Sequence, residues 1–183
     1  MARAPLWVFG YGSLMWNPGF AVAEQRVARL SDFHRSFCMR SIHHRGTEED
    51  PGLVLALDAL PGAACTGLAF RVQDGAEDET VSYLRERELI SSAYLEAELP
   101  LELRDGPKVQ ALTYIIDPDH VQYCGGLPLE EQANTIATAV GGRGPNTEYL
   151  FNTAQHLVEL GIEDAELNWL TRRVREITTV SGA

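Results

Sequence analysis

The chain has 183 residues, of which 45% are hydrophobic and 22% charged, a composition typical of a globular protein with a substantial core. Its formal net charge is −11, from 26 acidic and 15 basic residues. This excess of acid argues against binding to nucleic acid, which relies on Lys and Arg, and against an anionic membrane surface. A small anionic substrate stays compatible with it, because a pocket can be locally positive.

The length predicts a single domain over residues 1–183, with a frayed tail from about residue 178. Cys38, Cys65 and Cys124 form no close pair in the sequence, so we expect buried thiols in a reducing compartment and no disulfide. The N-terminus, MARAPLWVFG, lacks the apolar run of a signal peptide, and no window is long enough to cross a membrane. These features predict a cytoplasmic protein.

Strands are predicted mainly in the first part of the chain, where apolar runs are bounded by Gly and Pro. The predicted strands are 6–9, 21–30, 33–40, 53–57, 67–72 and 109–116. Pro61 and Gly62 predict a turn between the fourth and fifth of them, and residues 41–52 form a polar loop.

Helices are expected mainly in the later part, at about 74–90, 129–140, 147–160 and 164–177. Asn146 is the predicted N-cap of the third helix and Gly161 its stop signal. The last helix carries an apolar stripe, consisting of Leu167, Leu170, Val174 and Ile177. Because the predicted strands come early in the chain and the helices cluster late, the order favours an α+β fold with a mixed sheet over a regular doubly wound fold.

The string FGYGSL at residues 9–14, here called the FGYGSL turn, follows the first predicted strand. Its two glycines let the backbone bend tightly and approach a ligand, and successive N–H groups in such a turn can bind an anion. A dinucleotide fingerprint would need a glycine in place of Met15, and a nucleophile elbow would need glycines two residues either side of Ser13. We therefore interpret the segment as a binding loop, with a plain tight turn as the alternative.

A second pattern concerns one carboxylate of the first predicted helix. Val81, Leu84 and Glu88 are spaced i, i+3 and i+7, so they lie on one side of the helix, whereas Glu86 lies on the opposite face. A carboxylate aligned with an apolar stripe loses solvation, which raises its pKa and makes it a candidate general acid/base. A structural ion pair with a neighbouring arginine is the alternative.

Two further segments carry weaker signals. The polar loop contains His43, His44 and Arg45, which could line a pocket, but their spacing does not predict a metal site. Asn146 and Tyr149 follow the glycine-rich string GGRGP at a helix start, where N–H groups could hold a carboxylate or could simply be capped.

Taken together, these segments resemble the ChaC-like, glutathione-specific γ-glutamylcyclotransferases. The matching blocks are WVFGYGSLMWNPGF at 7–20, HRGT and PGLVLALD within 44–58, YLRERE at 83–88 and GRGPNTEYLFNT at 142–153. The resemblance implies a γ-glutamylcyclotransferase-like α+β fold, with a mixed sheet or partly closed barrel and flanking helices. The chain departs from some family members at 89–94, where it has LISSAY in place of a short glycine pair before the tyrosine.

The resemblance also implies cleavage of glutathione to 5-oxoproline and cysteinylglycine, without a metal or an organic cofactor. By matching motif positions, it implies that Glu88 is the acid/base and that Tyr149 contacts the substrate. Arg45, in the polar loop, and Tyr94, at the end of the divergent segment, are further candidate pocket residues. The γ-glutamyl group would be held by the turn residues Phe9, Gly10, Tyr11, Gly12, Ser13 and Leu14. The alternatives are the same chemistry on another γ-glutamyl amine or amino acid, a non-catalytic γ-glutamyl-binding module, and a hydrolase that uses water.

Overall fold

The computed structural model describes residues 4–89 and 92–181, which form an α+β fold. The strands are β1 (Trp7–Gly10), β2 (Val22–Ser41), β3 (Gly52–Val72), β4 (Tyr94–Leu103), β5 (Lys108–Ile116), β6 (Val140–Gly141) and β7 (Gly144–Pro145). The helices are α1 (Glu77–Glu88), α2 (Leu129–Thr138), α3 (Asn146–Glu159) and α4 (Ala165–Ser181), and a short 3-10 helix covers Ser13–Met15. The fold class predicted from the sequence is confirmed.

Five strands form a closed barrel in the order β1-β3-β2-β4-β5, and β6 and β7 form a separate two-stranded sheet. β1 runs parallel to β5, with Trp7 opposite Ala111, whereas β1 with β3 and β4 with β5 are antiparallel. The predicted mixed sheet is therefore confirmed. The side chains of β1 are all buried, as expected for a strand with neighbours on both sides.

β2 and β3 are longer than the sequence predicted. The predicted strands 21–30 and 33–40 both belong to β2, and 53–57 and 67–72 both belong to β3. Asp32 and Gly62 have left-handed backbone, with φ of 68° and 86°, at the places where breaks were predicted. Asp and Gly tolerate this conformation, so the turn residues are accommodated inside the strands. The Gly62 N–H donates to the Asp32 carboxylate at 3.0 Å.

β4 is absent from the sequence prediction. Its sequence, YLEAELPLEL, contains glutamates and Pro100, which are depleted in strands, and this hid the alternation of apolar and acidic residues. β4 pairs with β5 from Tyr94 opposite Ile116 to Glu102 opposite Lys108. β2 pairs with β4 at its Leu103 end, which leaves Pro100 beyond that ladder.

The helices lie close to their predicted positions, with small differences at the ends. α1 begins at Glu77, three residues later than predicted, and α4 runs to Ser181, four residues beyond the predicted end at 177. Gly161 ends α3 as predicted, with φ of 72° and its N–H donating to the carbonyl of Val158. The apolar stripe of α4 is buried at Leu167, Leu170 and Val174.

The chain packs as two compact units. The first contains residues up to Arg35 together with Ala56–Val121, and the second contains Ser36–Leu55 and the residues from Gln122 onward. In the second unit, α2, α3 and α4 pack against one another in pairs. The prediction of one domain stays a prediction. None of the three cysteines forms a disulfide; Cys38 and Cys65 are buried as predicted, whereas Cys124 is only half-buried. None of the helices in the described ranges is long and apolar enough to cross a membrane.

Candidate active site

The FGYGSL turn, in the first unit, folds back sharply on the end of β1. A side chain at Gly10 would lie 3.0 Å from Leu14 Cβ and 3.3 Å from the Met15 backbone nitrogen, which is tighter than ordinary contact, so glycine favours this close approach. A side chain at Gly12, by contrast, would enter open space. Tyr11 and Leu14 are buried and hold the turn against the core. Gly12 is itself buried, and its backbone has open space on the side to which a side chain would point.

The 3-10 helix at Ser13–Met15 orients the backbone donors of this turn. The Met15 N–H donates to the Gly12 carbonyl at 2.9 Å, and the Trp16 N–H donates to the Ser13 carbonyl. The first N–H groups of a helix, here those of Ser13 and Leu14, have no acceptor within the helix itself. The predicted contact of this turn with a substrate stays a prediction.

A buried arginine of β2 holds the turn in place. Arg35 is 5% exposed, and its guanidinium donates to the Tyr11 carbonyl at 3.0 Å and to the Thr66 carbonyl at 2.8 and 3.0 Å. Sequence analysis missed Arg35. The available signal was its position two residues from Phe33 and two from Phe37, which places it on the apolar face of the strand.

Glu88 is the last residue of α1, and its carboxylate faces inward as predicted. Its side chain is 17% exposed, Leu84 one turn earlier is fully buried, and Glu86 is exposed. Burial raises the pKa of the Glu88 carboxyl, and the positive charge of Arg87 opposes this shift. The predicted loss of solvation is confirmed, and the catalytic role of Glu88 stays a prediction.

Arg87 connects α1 to the FGYGSL turn. Its Nε lies 3.5 Å from Glu88 Oε1, and its Nη2 donates to Ser13 Oγ at 3.0 Å. The turn and the Glu88 carboxylate therefore lie within reach of a single guanidinium. The predicted alternative, an ion pair between Glu88 and a neighbouring arginine, is present as this one contact.

An apolar cluster surrounds this part of the first unit and includes Leu14, Leu84 and Tyr114, with Tyr94 packed against it. The Tyr114 hydroxyl donates to Glu96 Oε1 at 2.9 Å. Burial raises the pKa of Tyr114, and the hydrogen bond to Glu96 and the charges of Glu96 and Glu88 raise it further, although Arg85 opposes them. Sequence analysis missed this pair because Glu96 lies on the unpredicted strand β4. The role predicted for Tyr94 stays a prediction, and Ile90 and Ser91 of the divergent LISSAY string lie outside the described residues.

In the second unit, the structure brings Arg45 and Tyr149 together. The Arg45 guanidinium lies over the Tyr149 ring, 5.8 Å from its centroid, and donates to the Pro145 carbonyl at 3.1 Å. It also lies 3.6 Å from the Glu148 carboxylate. The Tyr149 hydroxyl accepts a hydrogen bond from the Leu55 N–H at 3.1 Å. These contacts order both side chains, and their predicted contact with substrate stays a prediction.

The prediction that Asn146 caps α3 is wrong. Asn146 is the first residue of the helix, Pro145 occupies the cap position, and no side chain caps it. The Asn146 side chain is fully buried, accepting from the Leu53 N–H at 2.8 Å and donating to the Leu53 carbonyl at 2.9 Å. It therefore pairs with β3 like a strand neighbour. A single sequence gives no signal for such a distant partner.

No three His, Cys, Asp or Glu side chains within residues 4–89 and 92–181 are grouped so that they could hold a metal ion. His43 and His44 pair through their carbonyls with the N–H groups of Gly142 and Arg143. Independence from metals and organic cofactors stays a prediction.

Comparison with known proteins identifies the family. A family model described as ChaC-like protein matches residues 6–177. The chain is 39% identical over 175 residues to the glutathione-specific γ-glutamylcyclotransferase of Escherichia coli K12, covering 96% of this chain and 75% of that protein. It is 37% identical to γ-glutamylcyclotransferase 2-1 of Arabidopsis thaliana, covering 93% of this chain and 82% of the relative.

The fold also matches a solved structure. The crystal structure of a yeast γ-glutamyl cyclotransferase specific to glutathione superposes with a TM-score of 0.83 at 24% identity, covering 96% of this chain and all of that one. This similarity shows the γ-glutamylcyclotransferase fold. With the family model matching nearly the whole length, we conclude that the chain belongs to the ChaC-like protein family.

Proposed function

We propose that this protein is a glutathione-specific γ-glutamylcyclotransferase that converts glutathione to 5-oxoproline and cysteinylglycine. The observation that carries the proposal is the largely buried Glu88 carboxylate, with its raised pKa, linked through Arg87 to a turn that leaves open space beside Gly12. The names of the bacterial and plant relatives support the substrate. Together they favour an enzyme over a binding module, because a pure binder gains little from a poorly solvated carboxylate.

The substrate supplies its own nucleophile in this reaction. The α-amino group of a γ-glutamyl unit can reach its own γ-carbonyl carbon and close a five-membered ring. The protein therefore mainly holds the reacting atoms in place, and good intramolecular geometry is worth roughly 7–11 kcal/mol of the barrier. Neither the hydroxyl of Ser13 nor any cysteine is needed as a nucleophile.

Glu88 would perform the two proton transfers. The α-amine is mostly protonated at neutral pH, with an ordinary pKa of about 7.7–8.0, so a base must take one proton before attack. After the ring closes, the C–N bond to the cysteinyl nitrogen breaks, and that nitrogen needs a proton to leave. One carboxylate with a raised pKa can take the first proton and deliver it to the departing nitrogen, because its pKa lies nearer to that of the groups it serves. The attacking nitrogen carries one extra proton once the C–N bond of the ring has formed, and it loses this proton to the solvent as the lactam forms.

The FGYGSL turn would stabilise the charge that develops on the γ-carbonyl oxygen during attack. The N–H groups of Ser13 and Leu14 at the start of the 3-10 helix are suited to this, with Gly12 allowing close approach. One such donor contributes about 3 kcal/mol to transition-state stabilisation in known enzymes.

No step of this mechanism calls for a metal or an organic cofactor, and we propose that the enzyme works without them. Treatment with a metal chelator followed by buffer exchange should then leave the rate of 5-oxoproline formation unchanged. A loss of activity that returns when a divalent metal is added back would contradict this. The cytoplasmic location predicted from the sequence belongs to the same proposal.

The proposed substrate is tested by incubating the protein with glutathione, with γ-glutamyl amino acids and with γ-glutamyl amines, and identifying the products by mass. We expect 5-oxoproline and cysteinylglycine from glutathione, with little turnover of the others. If 5-oxoproline forms only from another γ-glutamyl compound, the proposed reaction would stand and the proposed substrate would be wrong. Tight binding without any product would indicate a binding module.

A further inference from the structure

The Arg87 side chain makes more contacts than an ordinary surface arginine. Its Nη1 donates to the Asn17 carbonyl at 2.6 Å and to the Tyr83 hydroxyl at 3.1 Å, while Nη2 donates to Ser13 Oγ at 3.0 Å. Nε lies 3.5 Å from Glu88 Oε1. The Arg87 guanidinium thus contacts the end of α1, the Ser13 side chain of the FGYGSL turn and the chain segment that follows the turn.

The segment after the turn is shaped to receive this contact. Arg87 Nη1 also approaches the Pro18 carbonyl at 3.4 Å. Gly19, the next residue, has φ of 76°, and a side chain there would collide with the Tyr83 ring. Glycine is therefore needed to bring this segment against α1, where Tyr83 and Arg87 lie one helical turn apart. Gly19 and Tyr83 thus hold this segment against α1, where the Arg87 guanidinium reaches its carbonyl oxygens.

Arg87 also sets the charge beside Glu88. Among the described residues, the titratable groups that interact with this carboxylate are Arg87 of α1 and Tyr114 of β5, whose pKa the Glu88 charge raises. Tyr114 is neutral near neutral pH, because the ordinary pKa of a phenol is already about 10. Arg87 is therefore the group that supplies positive charge to Glu88 among the described residues.

We propose that Arg87 is a positioning residue for the cyclisation: its guanidinium fixes Ser13 of the FGYGSL turn relative to the Glu88 carboxylate and supplies the charge beside that carboxylate. This inference rests on the proposed function, because it assigns Arg87 to the same site. The planar fork of arginine can make these contacts at once, which the single ammonium of lysine cannot do.

Two substitutions separate geometry from charge. Arg87→Lys keeps the positive charge and loses the fork, so we expect kcat/KM to fall about 10-fold while the acid limb of its pH profile stays in place. Arg87→Gln loses both, so we expect a fall of about 100-fold. Its acid limb should also move to higher pH, because without the positive charge Glu88 is protonated more readily.

Arg85→Gln is the matched control. It removes the same charge from the same helix, but Arg85 pairs with Glu96 at 3.0 Å. We expect its acid limb to coincide with that of the wild type. If Arg85→Gln moves the limb as far as Arg87→Gln does, the effect comes from the overall charge of the helix, and the inference is wrong.

A readout that needs no catalysis distinguishes this inference from the proposed function. The pKa of Glu88 can be followed by NMR titration of side-chain-labelled glutamate in folded wild type, Arg87→Lys, Arg87→Gln and Arg85→Gln. A Glu88 pKa that rises in Arg87→Gln alone supports the assignment of Arg87 as the source of the charge beside Glu88. A wild type that forms no 5-oxoproline would overturn the proposed function, and with it the role in cyclisation, while this assignment of the charge would stand. Unchanged Glu88 titration, with wild-type kinetics in both Arg87 variants, would overturn the inference.

Discussion

Two carboxylates of the first unit, Glu88 at the end of α1 and Glu96 in β4, are similarly shielded from water, with side chains 17% and 24% exposed. Their pKa values nevertheless move in opposite directions, raised for Glu88 and lowered for Glu96. Glu96 accepts two hydrogen bonds from Arg85, both at 3.0 Å, and one from Tyr114. Glu88 has the longer 3.5 Å contact with Arg87.

Solvent exposure alone therefore does not determine the direction in which the pKa of a carboxylate shifts. Strong hydrogen bonds stabilise the charged form and hold Glu96 as a fixed anion that joins α1 to the sheet. Glu88 has fewer such bonds, so burial dominates and its carboxylate is suited to exchanging protons. The following predictions test whether this difference in bonding separates the two roles.

The largest effect is expected for Glu88→Gln. Glutamine keeps the shape of the side chain but cannot accept or release the proton, so kcat should fall by about 1,000-fold or more with the fold retained. The rate of 5-oxoproline release, measured beside a circular dichroism spectrum, checks this. Glu86→Gln, an exposed change on the same helix, is the control and should be mild. A Glu88→Gln rate close to wild type would remove Glu88 from the mechanism.

The next largest effect is expected for Asn146, a buried side chain that makes two hydrogen bonds to the backbone of Leu53. Asn146→Ala would leave the N–H and carbonyl of Leu53 without their partner in a fully buried place, so we expect a loss of about 2–4 kcal/mol of unfolding free energy. Denaturant unfolding measures it. Asn134→Ala, at an exposed position of α2, is the control. Equal stability of the two variants would show that the bonds to Leu53 contribute little.

Glu96→Gln should destabilise the protein modestly near neutral pH, by about 1 kcal/mol, since Arg85 is 58% exposed and water weakens the pair. The pKa of Glu96 is lowered in the folded state, so its contribution is present above the ordinary carboxyl pKa. It is lost as the pH falls through the lowered value. Melting temperatures of variant and wild type should therefore converge at acid pH, and a constant difference would contradict this account.

Glu88 should show the opposite dependence on pH. Its pKa is raised in the folded state, so the ionised carboxylate opposes folding, and stability falls as the pH rises from the ordinary carboxyl pKa through the raised value. Glu88→Gln removes this penalty. The variant should melt higher than wild type near neutral pH and converge with it in acid. A variant that melts lower at neutral pH would mean that the Arg87 contact outweighs burial.

The smallest effect is expected for Arg173→Gln in α4. Arg173 contacts Glu130 at 2.7 Å and Glu176 at 3.0 Å, but all three side chains are at least 36% exposed. Water and salt screen exposed pairs, so we expect a change in the denaturation midpoint that is smaller than the one for Glu96→Gln. Denaturant unfolding in low and high salt measures it, and a change as large as that of Asn146→Ala would show that exposure is a poor guide here.

The sequence predicted those features of the fold and site that follow from local patterns. The apolar run of β1, the glycines of the FGYGSL turn and the helical spacing of Leu84 and Glu88 each depend on neighbouring residues, and the structure places them as predicted. The four-block resemblance then identified the family, which the comparisons confirm.

The remaining features depend on partners distant in the chain. Asn146 was interpreted as a cap because capping is the usual local use of asparagine at a helix start, whereas its partner Leu53 lies 93 residues away. Arg35 and Glu96 acquire their roles from the Tyr11 carbonyl and from Arg85, which only the folded chain brings to them. Local periodicity carries no information about such pairs.

The measurement that tests the central claim most directly is the fate of glutathione in water enriched with heavy oxygen. If the substrate's own amine is the nucleophile, the protein should release cysteinylglycine and 5-oxoproline that carries no heavy oxygen from the solvent, and Glu88→Gln should release neither at an appreciable rate. Glutamate labelled with solvent oxygen would contradict the account, because it would show that water attacks the γ-carbonyl.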